Sequence, residues 1–172
     1  MPASYRPPVR GDAKVKTVSQ SKNSNMSSDG TTVQLLLDQK GGSVFSIKPE
    51  ETLGRAVEEL RDRRIGALMV TDESGILCGI LSERDIVRKL AETPGRTLPQ
   101  HVEDVMTRKV EVCTPNESLV SVLRRMSAGK FRHMPVVEKE RLVGLITIGD
   151  VVNFRLQELE HEALQLKQLI VG

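Results

Sequence analysis

Apolar positions along the chain predict short strands that alternate with amphipathic helices. Apolar runs at residues 44–47, 67–71 and 76–81 have the length of strands, and the turn-forming residues 72–75 separate the last two. Between the first two runs, apolar residues recur at helical spacing, at Leu53, Ala56, Val57 and Leu60. A second helix is predicted to begin after Ser82. Together these elements form a β-α-β-β-α unit.

This unit occurs twice. Three segments of the chain align with three later segments at offsets of 65 to 69 residues, so one supersecondary unit is repeated. The aligned segments are 33–37 on 102–106, 44–53 on 110–119 and 79–85 on 144–150. The second copy is therefore predicted to contain strands at 134–137 and 142–146 and helices that begin after Ser118 and Thr147.

The repeat gives an α+β fold class and divides the chain into five regions. Pro and Gly between the copies have the turn chemistry of a linker. The regions are a basic tail at 1–30, a first repeat at 31–92, a linker at 93–100, a second repeat at 101–155 and a C-terminal helical extension at 156–172.

The tail at 1–30 has no periodic apolar pattern and is rich in Pro, Ser and Asn, so we expect it to be disordered. It carries five basic and two acidic residues. We interpret it as a solvated tail, and its composition leaves organelle targeting and a weak nucleic-acid contact as alternatives. Either Met1 or Met26 could be the native start.

The charge and composition of the chain argue against several classes of function. The net charge is +2, of which +3 lies in the tail, so the folded part at −1 is not basic. One Tyr, three Phe and no Trp nearly exclude stacking platforms for single-stranded nucleic acid, and nucleic-acid binding ranks last. No apolar stretch approaches the roughly 18 residues of a membrane span, and no charged-then-apolar N-terminal pattern resembles a secretory signal. We expect a soluble, cytoplasmic protein without membrane insertion.

Catalytic motifs are not apparent. Cys78 and Cys113 lie far apart in apolar surroundings, which predicts buried core thiols, and no His, Cys or acidic cluster has metal-ligand spacing. No Walker loop, no dinucleotide-binding glycine motif and no nucleophile–base pair is indicated. We expect that the protein is not an enzyme and that it has no catalytic cofactor and no metal site.

Both copies close with the pattern Gly-h-h-[Ser/Thr]-x-x-Asp, where h is apolar. The simpler interpretation is a helix N-cap, in which the hydroxyl accepts from a backbone N–H and the acid suits the positive helix end. The alternative is a ligand site, because a carboxylate can accept from both ribose hydroxyls while the helix start and the hydroxyl bind a phosphate. Gly79 and Gly144 permit close backbone approach. The candidate residues are Ser82 and Asp85 in the first copy and Thr147 and Asp150 in the second.

The doubled unit, the paired endings and the segment Phe131-Arg132-His133-Met134-Pro135-Val136-Val137 resemble a tandem pair of cystathionine-β-synthase (CBS) domains, the Bateman module. The resemblance covers residues 32–155. It implies two copies packed about a pseudo-twofold axis through their sheets, with two clefts that bind adenosine-containing ligands. It also implies a stand-alone regulatory pair.

The same resemblance assigns phosphate-facing residues. In the family, the positions of Arg132 and His133 face ligand phosphates, although a lone His among apolar residues is also typical of a hydrogen-bonded structural histidine. Lys130 adds a positive charge before the strand, and Arg84 within the first ending can pair with a phosphate.

Each cleft is implied to combine the first strand of one copy with the ending of the other. Lys48 is then expected near Asp150, and Thr114 near Asp85. Because the second ending has no positive charge to match Arg84, we predict unequal sites.

After Asp150 the chain runs to Val171 without Gly or Pro, and its apolar residues have coiled-coil spacing. Because paired modules of the resembling family usually dimerise, we expect a homodimer or a higher homo-oligomer; the alternative is that the helix folds back on its own domain. Head-to-head and head-to-tail arrangements stay open. The residues of this stripe are Leu156, Leu159, Ala163, Leu166 and Ile170.

These features favour a regulatory adenine-nucleotide sensor. AMP, ADP, ATP, NAD(H) or a related adenosyl ligand would bind one or both clefts and change a dimer geometry that an unidentified regulated protein reads. The number of phosphates stays open, because Lys and Arg side chains adapt. The alternative is a structural dimerisation or scaffold module with vestigial clefts.

Overall fold

The structure is a computed structural model that describes residues 4–5 and 30–172. Its strands are β1 (Ser4–Tyr5), β2 (Ser46–Ile47), β3 (Ala67–Thr71), β4 (Leu77–Ser82), β5 (Val110–Glu111), β6 (His133–Glu138) and β7 (Arg141–Thr147). Its helices are α1 (Val33–Lys40), α2 (Leu53–Arg63), α3 (Glu83–Glu92), α4 (Val102–Val105), α5 (Leu119–Gly129) and α6 (Ile148–Val171).

The two repeats build two similar sheets, which confirms the predicted repeat. In the first, β2 is parallel to β3 and β3 is antiparallel to β4. In the second, β6 and β7 are antiparallel, and Cys113 forms a parallel bridge to Val136 of β6. The registers also correspond, because Ala67 lies opposite Ser82 and His133 lies opposite Thr147.

Hydroxyl side chains begin the main helices where the sequence predicts them. Each accepts a hydrogen bond from a backbone N–H of the first turn, which satisfies a donor that has no partner within the helix. The capping residues are Thr52 for α2, Ser82 for α3, Ser118 for α5 and Thr147 for α6.

The repeats exchange their first helices, a feature that the β-α-β-β-α unit did not include. Helix α1 of the first repeat buries Val33, Leu36 and Leu37 in the core of the second repeat. Helix α4 of the second repeat extends the first core, where Val102 and Met106 are buried. Each repeat therefore depends on the other for a wall of its core.

A third apolar cluster joins the two sheets. Buried Met69 and Leu77 of the first sheet pack with Val137 and Leu145 of the second. This contact between equivalent strands agrees with packing about a pseudo-twofold axis.

Part of the expected disordered tail is a strand. Strand β1 pairs antiparallel with β5, with Ser4 opposite Glu111 and Tyr5 opposite Val110. An unpaired strand edge offers backbone donors and acceptors to such a segment. The rest of the tail, with the targeting and nucleic-acid alternatives and Met26, lies outside the described residues.

Helix α6 continues for 24 residues. Among the described residues, no helix combines the length and the apolar character needed to cross a bilayer.

Candidate functional site

A cavity of about 600 Å³ lies between the two repeats at the start of α3. This volume is in the range of small-molecule sites. Six of the ten residues that the sequence singled out line it, namely Ser82, Arg84, Asp85, Lys130, Arg132 and His133. The other four are Lys48, Thr114, Thr147 and Asp150.

Three parts of the chain form the walls of the cavity. The first is the start of α3, which is tied to the residue before β3 by a 3.0 Å hydrogen bond from the Glu83 N–H to the Gly66 carbonyl. The second is the segment 130–133 that leads into β6, and the third is the α4–β5 connection at 107–111. The site therefore requires both repeats.

The carboxylate of Asp85 serves as a helix cap and keeps one oxygen for other partners. Its Oδ2 accepts from the Ser82 N–H at 2.9 Å and from the Ser82 hydroxyl at 2.7 Å, and the Ser82 Oγ in turn accepts from the Asp85 N–H at 3.3 Å. Its Oδ1 has Arg88 Nη1 4.0 Å away. The capping interpretation is thus confirmed, and the geometry leaves Oδ1 able to accept from a ligand hydroxyl.

The cavity is more basic than acidic. Glu111 is already neutralised from outside the cavity by the Arg125 guanidinium at 2.8 Å, and both side chains are about four-fifths buried. A low-dielectric cleft of one sign concentrates ions of the opposite sign, so this cavity favours an anion. The basic lining residues are Arg84, Arg88, Lys109, Lys130 and Arg132, and the acidic ones are Glu83, Asp85 and Glu111.

The surroundings of His133 disfavour the charged imidazolium form. Burial lowers its pKa below the ordinary 6.5, and the nearby Lys40 ammonium lowers it further, while Asp150 and Glu83 act in the opposite sense. Its Nε2 lies 3.7 Å from the position that a Cβ on Gly66 would occupy, so it packs against the other repeat. It can therefore offer a hydrogen bond to a phosphate without adding charge.

Asp150, the equivalent acid of the second repeat, forms an ion pair with a lysine of the same chain. Asp150 Oδ2 accepts from the Thr147 N–H at 2.9 Å and from the Lys40 ammonium at 2.5 Å. Burial raises the pKa of Asp150, but these hydrogen bonds, that of Lys40 first, lower it by more, so the pKa lies below its usual value. Lys40 also donates to the Leu145 carbonyl at 3.0 Å.

The lysine beside Asp150 is Lys40, and the expectation of Lys48 at this place is wrong. Strand β2 is parallel to β3, so Lys48, which follows β2, lies beside the residue after β3 and donates to the Asp72 carbonyl. Lys40 ends α1, which packs across β7 and α6.

Thr114 does not line the cavity beside Asp85. Cys113 pairs with Val136, three residues into β6, so the chain at Thr114 has moved away from the cavity end of that strand. The Thr114 N–H donates instead to Glu117 Oε1 at 2.9 Å.

The cavity residues at 107–111, which lead into β5 and include it, were not predicted from the sequence. Lys109 was detectable, because the alignment of 33–37 on 102–106 places it on Lys40. Ile80, Val110 and Phe131 could not be predicted as site residues, because their only sequence feature is their apolar character. That feature is equally compatible with a position in the core. All three line the cavity.

The two glycines of the endings allow close approach by the chain itself. A Cβ on Gly79 would lie 2.8 Å from Met106 Sδ and from the Thr107 carbonyl oxygen, and one on Gly144 would lie 2.8 Å from the Leu37 methyl carbons. The exchanged first helices therefore need these glycines.

The described residues contain no group of three or more His, Cys, Asp or Glu side chains that could hold a metal ion. Cys113 is buried as expected, and burial raises the pKa of its thiol to about 12. Cys78 is only partly buried, which corrects the expectation for it.

Comparison with known sequences identifies the repeat. The sequence model of the family described as "CBS domain" matches residues 42–92 and 102–157, more than half of the chain. The chain is 30% identical over 152 residues to the CBS domain-containing protein CBSX3, mitochondrial, of Arabidopsis thaliana, and this match covers 84% of the chain and 74% of that protein. Two other Arabidopsis relatives are longer, and the match spans 21% of their length.

Solved structures share the fold. A CBS-domain-containing protein of Agrobacterium tumefaciens is 42% identical with a TM-score of 0.70, and the match covers 73% of the chain and 99% of that protein. The CBS domain pair of the protein MJ0100, solved in complex with 5′-methylthioadenosine and S-adenosyl-L-methionine, is 26% identical with a TM-score of 0.67. That match covers 76% of the chain and 99% of the solved pair.

Proposed function

The chain belongs to the CBS-domain family, and on that premise we propose that it is a regulatory, non-catalytic module that binds an adenine nucleotide in the cavity beside Asp85. One observation carries the proposal: a single cavity combines a carboxylate acceptor, a helix start and a group of cations from both repeats. The adenosine ligands of the related pair support the ligand class.

Asp85 is the proposed ribose-binding residue. Its Oδ1 can accept a charge-assisted hydrogen bond from a ribose hydroxyl, which contributes about 1.5 to 3 kcal/mol when water is excluded. Loss of a hydroxyl would leave the carboxylate under-partnered, so the site should prefer ribose to deoxyribose. The apolar side chains of Ile80 and Phe131, which line the cavity and are partly exposed, are available to the adenine base.

The cations are the proposed phosphate-binding residues. Arg84 and Arg88 come from the first repeat, and Lys130 and Arg132 come from the second. Such a set suits AMP, ADP, ATP or NAD(H) better than S-adenosylmethionine, whose sulfonium and ammonium groups would be repelled. A phosphate that bridges the two groups would pull the repeats together.

The second cleft is the weaker site in this proposal. A ribose at Asp150 would have to compete with the Lys40 ammonium, which belongs to the same chain and lies 2.5 Å from Asp150 Oδ2. We therefore propose one principal nucleotide per chain. Thr147, Lys48 and Thr114 are not assigned to this nucleotide.

The output is proposed to be a change in the geometry of a homo-oligomer, read by a regulated protein. Thermal unfolding of nucleotide-stripped protein tests the proposal, with AMP, ADP, ATP, NADH, S-adenosylmethionine and 2′-deoxy-AMP as ligands. A ligand at 100 times its dissociation constant adds about 2.7 kcal/mol, which should raise the midpoint by about 5 to 10 °C. A rise with AMP and a smaller one with 2′-deoxy-AMP are expected.

A scaffold module with vestigial clefts is the second candidate, and the exposed apolar residues of α6 favour it. It predicts no rise in the unfolding midpoint with any ligand of the panel.

We propose a cytoplasmic location. The name of the Arabidopsis relative specifies the mitochondrion, and residues 1–30 are the segment where targeting would reside. A fluorescent protein fused behind residues 1–30 is expected to stay cytoplasmic; mitochondrial import of that fusion would overturn the proposed location.

A further inference from the structure

The C-terminal half of α6 extends away from the domain. Val151 and Phe154 are buried, whereas every residue from 159 to 171 is exposed. Helices in proteins are stabilised mainly by packing of an apolar face, and an isolated segment of this length is marginal in water. Large apolar side chains between 43% and 86% exposed occur along α6 from residue 152 onward, at Val152, Leu156, Leu159, Leu164, Leu166, Leu169, Ile170 and Val171.

Six residues of this helix form a coiled-coil seam. The spacings between them are 4, 3, 4, 3 and 4 residues, which is the alternation of d and a positions in a heptad. The seam begins on the part of α6 that is anchored to the domain, so the folded domain holds its first turn in place. Its members are Val152, Leu156, Leu159, Ala163, Leu166 and Ile170.

We propose that this seam packs against the same seam of a second copy of the chain, as a parallel two-stranded coiled coil. The orientation follows from the charges beside the seam. In a parallel pair, a g residue of one helix lies near the e residue five positions later on the other. Glu162 is at a g position and Lys167 at the following e position, so each helix presents an acid to a base of its partner. Arg155 and Glu160 repeat this relationship one heptad earlier.

Antiparallel pairing satisfies fewer charges. It brings e residues against e residues and g residues against g residues. In one register that keeps the seam in contact, Glu160 and Glu162 each face their own copy. Shifted by one heptad in one direction, Glu160 faces Lys167 but Glu162 faces Leu169. Shifted in the other direction, Arg155 faces Glu162, but Glu160 faces Asn153 and Lys167 has no residue of the partner helix opposite it. The parallel pair alone matches both sets of charges.

The charge of the helix also argues against other occupants. Residues 156–171 contain three glutamates and one lysine, so the segment is acidic. An anionic membrane surface or a nucleic acid would repel it. A second copy is the occupant that complements both its apolar seam and its charges.

Charge exchange tests the proposal. Sedimentation equilibrium on the full chain, without nucleotide, would compare the wild type with Glu162→Lys, with Lys167→Glu and with the double variant. Each single change turns two attractive contacts per dimer into repulsive ones, so each should weaken the dimer about tenfold. The double variant should return to within about twofold of the wild type. Gln165→Lys, an exposed residue outside the seam, is the matched control for added charge and should have no effect.

Three results would overturn the proposal. A monomeric wild type would show that this seam does not join two copies. A dimer whose dissociation constant is the same in all variants would assign self-association to another face. Weakening by only one of the two single variants, without rescue in the double variant, would indicate antiparallel pairing. Because no nucleotide is present, none of these results depends on the proposed ligand.

Discussion

The Lys40 ammonium lies 2.5 Å from Asp150, so the first repeat supplies a cation to the acid that closes the second. Lys40 reaches this position because α1 packs on the core of the second repeat. The aligned Lys109 lines the cavity that contains Asp85. The exchanged helix α1 thus ends in a lysine that occupies Asp150. The exchanged helix α4 is followed by Lys109, and a cavity remains beside Asp85.

Removing the Lys40 ammonium should expose the second site. We expect Lys40→Met to add a second nucleotide-binding event, because Asp150 then loses the cation that competes with a ribose. Both side chains are partly exposed, so the change should lower the free energy of unfolding by no more than about 1 kcal/mol. Isothermal titration calorimetry gives the stoichiometry directly.

Lys109→Met is the matched control for that variant. Because Lys109 faces the open cavity, its loss should weaken the first binding event and leave the stoichiometry at one. If Lys40→Met also keeps a stoichiometry of one, Lys40 does not control access to Asp150.

Arg132 should strengthen the binding of ligands that carry phosphates and have little effect on the binding of adenosine. We expect Arg132→Gln to weaken ATP binding about tenfold or more, because a charge-assisted contact is lost, and to change adenosine binding little. Arg124→Gln removes an exposed arginine on α5 outside the cavity and serves as the control. Equal losses for ATP and adenosine would show that Arg132 shapes the site without binding phosphate.

The two glycines of the endings should differ in their tolerance of a methyl group. Gly79→Ala would place its Cβ 2.8 Å from a backbone oxygen, that of Thr107, which cannot turn aside, so we expect a loss of about 1 to 3 kcal/mol. Gly144→Ala meets the end of the Leu37 side chain, which can shift, and should cost less. Urea denaturation of both variants measures the two values. An equal or larger loss for Gly144→Ala would mean that the α1 contact is the more rigid one.

The titration of His133 should make the free energy of unfolding depend on pH. Its pKa is lowered in the folded protein, so the unfolded chain binds a proton that the folded chain resists. The free energy of unfolding should therefore fall as pH decreases through about 6.5. The slope between pH 7.5 and pH 5.5 should be smaller in His133→Gln, and identical slopes would assign the pH dependence to other groups.

The repeat and its caps could be predicted from the sequence because they depend on local pattern. Ser82 and Thr147 each precede an Asp by three residues, and this spacing specifies a capping box. The partner of Asp150 could not be predicted, because Lys40 reaches it only through the exchange of α1 between cores. Apolar periodicity shows that Val33 and Leu37 are buried, but it does not show in which core.

The candidate site could be predicted from the sequence to the same extent. Side chains adjacent to the endings and to β6, such as Arg84 and Arg132, follow the aligned motif into the cavity. Thr114 follows the same alignment but lies past the cavity, because the position of Cys113 beside Val136 depends on strand pairing. Distances along paired strands are a tertiary property that one sequence does not specify.

A calorimetric titration of ADP into nucleotide-stripped wild type, Asp85→Asn and Asp150→Asn tests most directly whether the nucleotide binds beside Asp85. The two variants are matched, since both acids complete equivalent capping boxes. We expect one site in the wild type, binding weakened about tenfold or more in Asp85→Asn, and unchanged binding in Asp150→Asn. Unchanged binding in Asp85→Asn, or an equal loss in both variants, would contradict this expectation.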